Sequence, residues 1–255
     1  MDDKTVDALC LLNNDFYRNQ CQSFSGTRRS PWHGWGACLE VLQNAGLFSD
    51  KRYLSVFDLA CGNLRFEEFL SKEFSQVNFE FFAVDDCDDL VPFRMNVCYQ
   101  SLDIMAALRK GGSLASYFEA PMCDLAVAFG FMHHIPGEQR REAVLQALID
   151  QTRLGGFVVV SFWQFLNDEK LAAKASVTHA RGLQELELPP LDDNDFLLGW
   201  QEVPGAYRYC HSFSDDEISS LLASVAHSAR TIARFSADGK AGNLNSYAVL
   251  QTCRV

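Results

Sequence analysis

From Tyr53 onward, short apolar runs alternate with longer stretches of helical spacing, and this alternation restricts the fold more than any other feature of the chain. YLSVFDLA (53–60), VNFEFFAVD (77–85), CDLAVAFG (123–130) and FVVVSFWQF (157–165) read as strands, with VCYQSLDI (97–104) as a weaker one. Their hydrophobicity is near-continuous, the pattern of strands covered on both faces. Helical periodicity fills FEEFLSKEF (66–74) and GEQRREAVLQALIDQTR (137–153), the latter ending before Gly155-Gly156. DDEISSLLASVA (215–226) opens with acids, as the helix dipole favours. ARTIARFSA and NSYAVLQTCRV supply two last strands. The expected fold is α/β and Rossmann-like: a mostly parallel seven-stranded sheet with helices on both faces.

The flanking segments fit one domain spanning 1–255. Residues 1–50 are helical in pattern, in TVDALCLLNNDFYRNQ and again in WGACLEVLQNAG after Pro31, and are expected to cap the carboxyl edge of the sheet. Residues 166–207 are polar, with Pro189-Pro190 and a DDND run, and are too long for a simple connection; they read as an insertion or lid beside the site. Hydrophobic residues make up 48% of the chain and charged residues 22%, and no apolar run reaches the ~18 residues of a membrane span. MDDKTVDALC lacks a basic-then-apolar leader pattern, so a cytoplasmic protein with no membrane partner is expected. The nine cysteines are scattered and form no C-x-x-C pair, which points to buried free thiols and to no metal site. A net charge of −11 repels nucleic acid on average.

The segment VFDLACGNLRF (56–66) carries the chemistry. Open parallel sheets bind ligands beyond the carboxyl ends of their strands. The first strand ends at Asp58, where a buried carboxylate is costly unless it binds the turn's own amides or a cationic ligand group. In the turn, Ala60-Cys61-Gly62-Asn63, Gly62 allows close backbone approach, and Cys61 reads as a packing residue rather than a nucleophile. Asp85-Asp86 ends the second strand, where a carboxylate holds a ribose diol; Asp85 is expected in that role, with Asp88 and Asp89 in solvent. Asp103, beside Ile104, ends the third strand and is placed to accept from an adenine amino group. Three acids at successive strand ends suit a ligand with an amino group, a ribose and an adenine but no phosphate. S-adenosylmethionine (SAM) is such a ligand.

Over residues 50–165 the chain resembles the class I SAM-dependent methyltransferases, whose turn approximates D-x-G-x-G-x-G. Here Ala60 and Leu64 replace the first and third glycines, and Leu64 is the larger departure, since its side chain crowds the turn or redirects the following helix. The resemblance implies SAM as cofactor, S-adenosylhomocysteine as product, and Ala60, Cys61, Gly62 and Asn63 in the cofactor turn. SFSGTRRSPW (23–32), FGFMHHIP (129–136) and RYCHSF (208–213) are together similar to the tRNA wobble-uridine methyltransferases that esterify a carboxymethyl group. That narrower resemblance implies Arg28 on the cofactor carboxylate, Tyr17 closing the same end, Phe129 against the adenine or sulfonium side, and Arg208 and His211 on the acceptor. A carboxylate acceptor needs no base; a neutral one needs His133, His134 or His211. Trp163 and Trp200 either stack a base or pack a lid, and Arg140-Arg141 reads as a solvated pair. A tRNA acceptor requires Arg18, Arg28, Arg29, Arg208, Lys170 and Lys174 to form one patch. The alternatives are a small-molecule acceptor, or a non-catalytic subunit of the same fold; a small activator protein is a further candidate partner.

Overall fold

In the first strand, alternate side chains face opposite ways, and both sets are apolar: Phe57 and Leu59 enter one core, Leu54 and Val56 the other. A strand with this pattern is stable only when helices cover both faces of its sheet. The computed structural model describes residues 1–27, 30–49, 52–93, 95–201 and 203–253, with Phe24 described by its backbone alone. The elements run α1 (Asp3–Gly26), α2 (His33–Asn44), β1 (Tyr53–Leu59), α3 (Arg65–Glu73), β2 (Asn78–Asp85), β3 (Val97–Ser101), α4 (Ile104–Lys110), β4 (Cys123–Ala128), α5 (Glu138–Asp150) and β5 (Thr152–Trp163). They continue with α6 (Glu169–Glu185), β6 (Asp195–Gly199), β7 (Tyr207–His211), α7 (Asp215–Ser224), β8 (Ala229–Ala237) and β9 (Asn245–Thr252).

The main sheet has seven strands in the order β3-β2-β1-β4-β5-β9-β8. The first five in chain order are parallel, and β9 runs antiparallel to both β5 and β8. This is the Rossmann-like, mostly parallel sheet expected from the alternation of elements. The strand order reverses between β1 and β4, so the crevice beyond their carboxyl ends is the natural ligand site. One face is covered by α4, α5 and α7 through Ile104, Leu145, Leu148, Ile218 and Leu222. The other is covered by α2 and α3 through Trp35, Leu39, Leu42, Phe66 and Leu70. Each fully buried side chain of this size contributes roughly 1.5–3 kcal/mol.

The described residues of the 166–207 segment form a helix and two strands. Asp168 caps α6 by accepting from the amides of Lys170 and Leu171, both at 3.0 Å. The strands β6 and β7 form a separate antiparallel pair. Leu9 of α1 buries itself against this pair with Leu197, Tyr207 and Tyr209. Asn13, also on α1, accepts from the Tyr209 amide at 2.7 Å, so α1 and β7 are tied together across most of the chain's length.

Three sequence expectations shift. VCYQSLDI is not a strand throughout: β3 stops at Ser101, and Asp103 caps α4 by accepting from the Ala106 amide at 2.8 Å. The run at 157–165 begins earlier, at Thr152, because Gly155 takes φ +79° and Gly156 leaves no room for a Cβ beside the Asp124 carbonyl. Arg141 is not solvated. Its buried guanidinium bonds Asp195, the Tyr209 hydroxyl and the Ile135 carbonyl, because α5 turns it inward beneath β6 and β7. All nine cysteines are free thiols. Among the described residues no helix is long and apolar enough to cross a membrane.

Candidate functional site

A cavity of about 1060 Å³ opens over the carboxyl ends of β1, β2, β4 and β5 and is roofed by α1 and α6. Its volume is just above the ~300–1,000 Å³ usual for ligand sites. Of the residues expected at the site, Tyr17, Asp58, Ala60, Cys61, Gly62, Asn63, Asp85, Asp86, Asp103, Ile104, Phe129, His133 and Arg208 all line it. Arg28, and Arg29 beside it, lie outside the described residues. All four tryptophans of the chain, Trp32, Trp35, Trp163 and Trp200, are in the wall.

The turn after β1 is held by β2. The amides of Ala60 and Cys61 donate to the Val84 carbonyl at 2.7 and 3.1 Å, and the Gly62 amide donates to Asp85 Oδ2 at 2.8 Å. Ala60, Gly62 and Leu64 take φ of +63°, +55° and +59°. These are the places of the three family glycines, so the backbone keeps the glycine geometry with two side chains present. Leu64 does not crowd the crevice. It is buried with Cys61 and Ala83 on the far side of the turn, which leaves the Gly62 backbone open to the cavity.

The acids divide their work. Asp58 is 3% exposed and meets the carboxyl of Glu67, also 3% exposed, on the first turn of α3. Burial and mutual repulsion raise the Asp58 carboxyl, and burial pushes Glu67 up to about 7. Asp85, the residue expected at the ribose, is a strut of the turn: besides Gly62 it accepts from the Cys87 amide at 3.0 Å, which leaves Asp86 as the freer carboxyl at this strand end. Asp86 is half-buried in the wall and is raised to about 6 by burial and by Asp85. Asp103 caps α4 and also accepts from Asn14 Nδ2 at 3.1 Å, so α1 closes over this end. Burial keeps the Cys61 thiol protonated, as a packing residue requires.

Arg65 is a cation in this acidic half that the sequence reading passed over. It donates to Asn63 Oδ1 and the Ser30 carbonyl at 3.2 and 3.0 Å and lies over the rings of Trp32 and Trp35. Glu67 was passed over too. Its signal was an acid on the apolar stripe of FEEFLSKEF, beside Phe66 and three residues before Leu70.

The half of the cavity built by the ends of β4 and β5 with β7 and α6 has a different character. Phe129 packs against Phe66 and Trp35. Arg208 is 7% exposed, with its guanidinium 5.2 Å from the Phe16 ring and 5.4 Å from Trp200. Lys174, Trp163 and Phe165 complete this wall, with the His133 ring 5.0 Å from Trp163. His134 Nδ1 lies 3.0 Å from the Tyr209 carbonyl, which only accepts, so Nδ1 carries the proton and Nε2 accepts from the Tyr17 hydroxyl at 2.6 Å. His133, His134 and Cys210 bring ligating atoms within 4.8 Å of one another, but both His134 nitrogens are committed, so this donor set is a hydrogen-bonded cluster and not a preformed metal site. His211 stands apart from the cavity. Its Nδ1 meets Asp195 at 2.7 Å and its Nε2 meets Glu217 at 3.0 Å, so it links β6, β7 and α7 and does not line the cavity.

These features define a doubly wound α/β chain with an acid-lined switch-point crevice, the Rossmann-like fold of the class I SAM-dependent methyltransferases. Two solved structures share it. A SAM-dependent methyltransferase from Methanosarcina mazei superposes with a TM-score of 0.55 at 12% identity, covering 80% of this chain and 94% of that one. Another, from Clostridium acetobutylicum, gives 0.54 at 11% identity, covering 94% and 98%. No family model matches the sequence, and no curated protein does.

Proposed function

We propose that the chain is a SAM-dependent methyltransferase whose acceptor presents an anionic oxygen. The observation that carries the reading is the split of one cavity into an acid-lined half around a glycine-geometry turn and an aromatic half containing Arg208 and Lys174. The acidic half fits the cofactor: Asp58 presents a buried carboxyl to the cavity with Glu67 behind it, and the wall offers ring contacts. Asp58 and Gly62 take the amino acid end, with Arg65 as the cation for its carboxylate; Asp86 takes the ribose, and Ile104 and Phe129 flank the adenine and sulfonium. Bound there, SAM supplies an electrophilic methyl that an acceptor atom displaces in line, leaving S-adenosylhomocysteine.

The chain's own contribution is placement and exclusion of water. Arg208 pairs with the acceptor anion, Trp163 and Trp200 hold its flat body, and α1 and α6 shut out solvent. A carboxylate acceptor reacts without a base. For a neutral hydroxyl or amine, His133 is the residue placed to take the proton. A small acid is the first acceptor to test, because a surface of net charge −11 opposes a polyanion. A modified tRNA uridine is the second, favoured by the two tryptophans of the wall and by the likeness of RYCHSF. Calorimetric titration with SAM and S-adenosylhomocysteine tests the cofactor. Micromolar binding that is lost in Asp58→Ala supports the reading; no binding of either nucleoside removes it and leaves a non-catalytic subunit. Label transfer from methyl-tritiated SAM into small acids or tRNA then decides the acceptor.

A further inference from the structure

Glu67 has no place in the family turn and does not line the cavity, yet it is as deeply buried as Asp58. Apart from its own backbone amide, no N–H donor of another described residue reaches either of its carboxyl oxygens. What it meets is the Asp58 carboxyl. Two carboxylates in contact at this depth do not both ionise; a proton between them turns repulsion into a hydrogen bond. Among the described residues, the groups facing the pair supply no positive charge. From β2 comes Asp85, whose carboxylate is taken by two amides, and beyond it Asp86, which faces Arg18. From the turn comes the protonated Cys61 thiol. From β4 comes the apolar Val127, paired with Asp58 in register. Arg65, on the same helix as Glu67, is directed to Asn63 and Ser30.

We propose that Asp58 and Glu67 hold a shared proton which they surrender to solvent when the amino group of SAM arrives at Asp58, so that Glu67 is a positioning residue that couples cofactor loading to proton release. This rests on the cofactor reading above. The proton passes to water as the cofactor's ammonium takes its place beside the pair; no other bond changes. Affinity for the cofactor therefore rises with pH over the range in which the pair holds its proton: burial and the Glu67 contact raise Asp58 well above the ordinary carboxylate range, and burial raises Glu67 to about 7.

The test is calorimetric titration with SAM in buffers of differing protonation enthalpy, at several pH values from about 6 to 8. The wild type is expected to release up to one proton per SAM at the acid end, with affinity rising by up to about tenfold per pH unit there. In Glu67→Gln the side chain has no proton to lose and donates an N–H to Asp58, so the release is expected to vanish and the profile to flatten. Asp86→Asn serves as the control: affinity falls while the release that depends on Glu67 persists. Equal release in wild type and Glu67→Gln overturns the proposal. Failure of SAM to bind at every pH instead removes the cofactor reading. The pair is then read without any ligand, by carbon-13 carboxyl NMR: a coupled titration near neutrality upholds the shared proton, and two ordinary carboxylate titrations overturn it.

Discussion

Leu64 shows how a single residue can be read correctly for type and wrongly for consequence. The glycine pattern marked it as the serious departure, and the backbone does take the left-handed φ of +59° that a glycine would supply. The strain is about 1–2 kcal/mol, and burying a leucine outweighs it. Leu64→Gly is therefore expected to destabilise the protein by about 1–3 kcal/mol in chemical denaturation, despite relieving the backbone; a gain in stability would show that Leu64 is not the anchor of the turn. Asp58, Asp85 and Asp103 were legible because acids at strand ends demand an explanation. Their partners were not, since Glu67, the turn amides and Asn14 meet them only in three dimensions. Glu67 also sets a pH dependence. Its folded pKa of about 7 lies above the ordinary value of 4.5, so the native state holds the proton that the unfolded chain gives up. Stability thus falls as pH rises from about 4.5 to about 7, by at most about 3 kcal/mol from this group. Glu67→Gln is expected to flatten that fall, and denaturation at about pH 5 and about pH 8 measures it.

At the scale of elements, helices and parallel strands were readable wherever periodicity ran unbroken, as in α3, α5 and β1. The small pair β6–β7 was not, because β7 is the RYCHSF motif and was read as chemistry. Structurally it is divided. Arg208 faces the cavity, while His211 faces Asp195 and Glu217 beneath it. The two substitutions should therefore separate. Arg208→Ala is expected to leave SAM affinity within about twofold and to lower turnover by ~100-fold or more, the loss of a charged contact of about 3 kcal/mol. His211→Ala is expected to cost about 2–4 kcal/mol of stability, since it takes a partner from the buried Asp195 and from the partly exposed Glu217, with SAM affinity unchanged at a temperature where the variant is folded. Loss of activity in folded His211→Ala with full stability would return that residue to the site.

For the whole molecule, charge and topology pull in different directions. A net charge of −11 favours small acceptors, and the acids concentrated at the ends of β1, β2 and β3 favour a cation. If the acceptor is a small acid held by Arg208 inside the cavity, transfer is expected to change less than about threefold between about 50 and 200 mM salt. A tRNA acceptor, contacting several phosphates, is expected to lose affinity by ~100-fold or more over the same range. The strand order was not read from the sequence, but a mostly parallel sheet was legible in advance because strands that alternate with helices need crossover connections. The roof was not, because it joins α1 to β7 through Asn13 and Tyr209, residues 196 positions apart.

The tryptophans give the molecule a built-in optical reporter. Because all four stand in the cavity wall, nearly all of the chain's intrinsic ultraviolet emission originates at the site, with none left elsewhere as background. Two pairs also sit in separate halves: Trp32 and Trp35 beneath Arg65, Trp163 and Trp200 beside His133 and Arg208. Replacing either pair by phenylalanine splits the spectrum into one colour for each guest, so that arrival of the nucleoside and arrival of its co-substrate can be timed separately in a stopped-flow instrument without a dye.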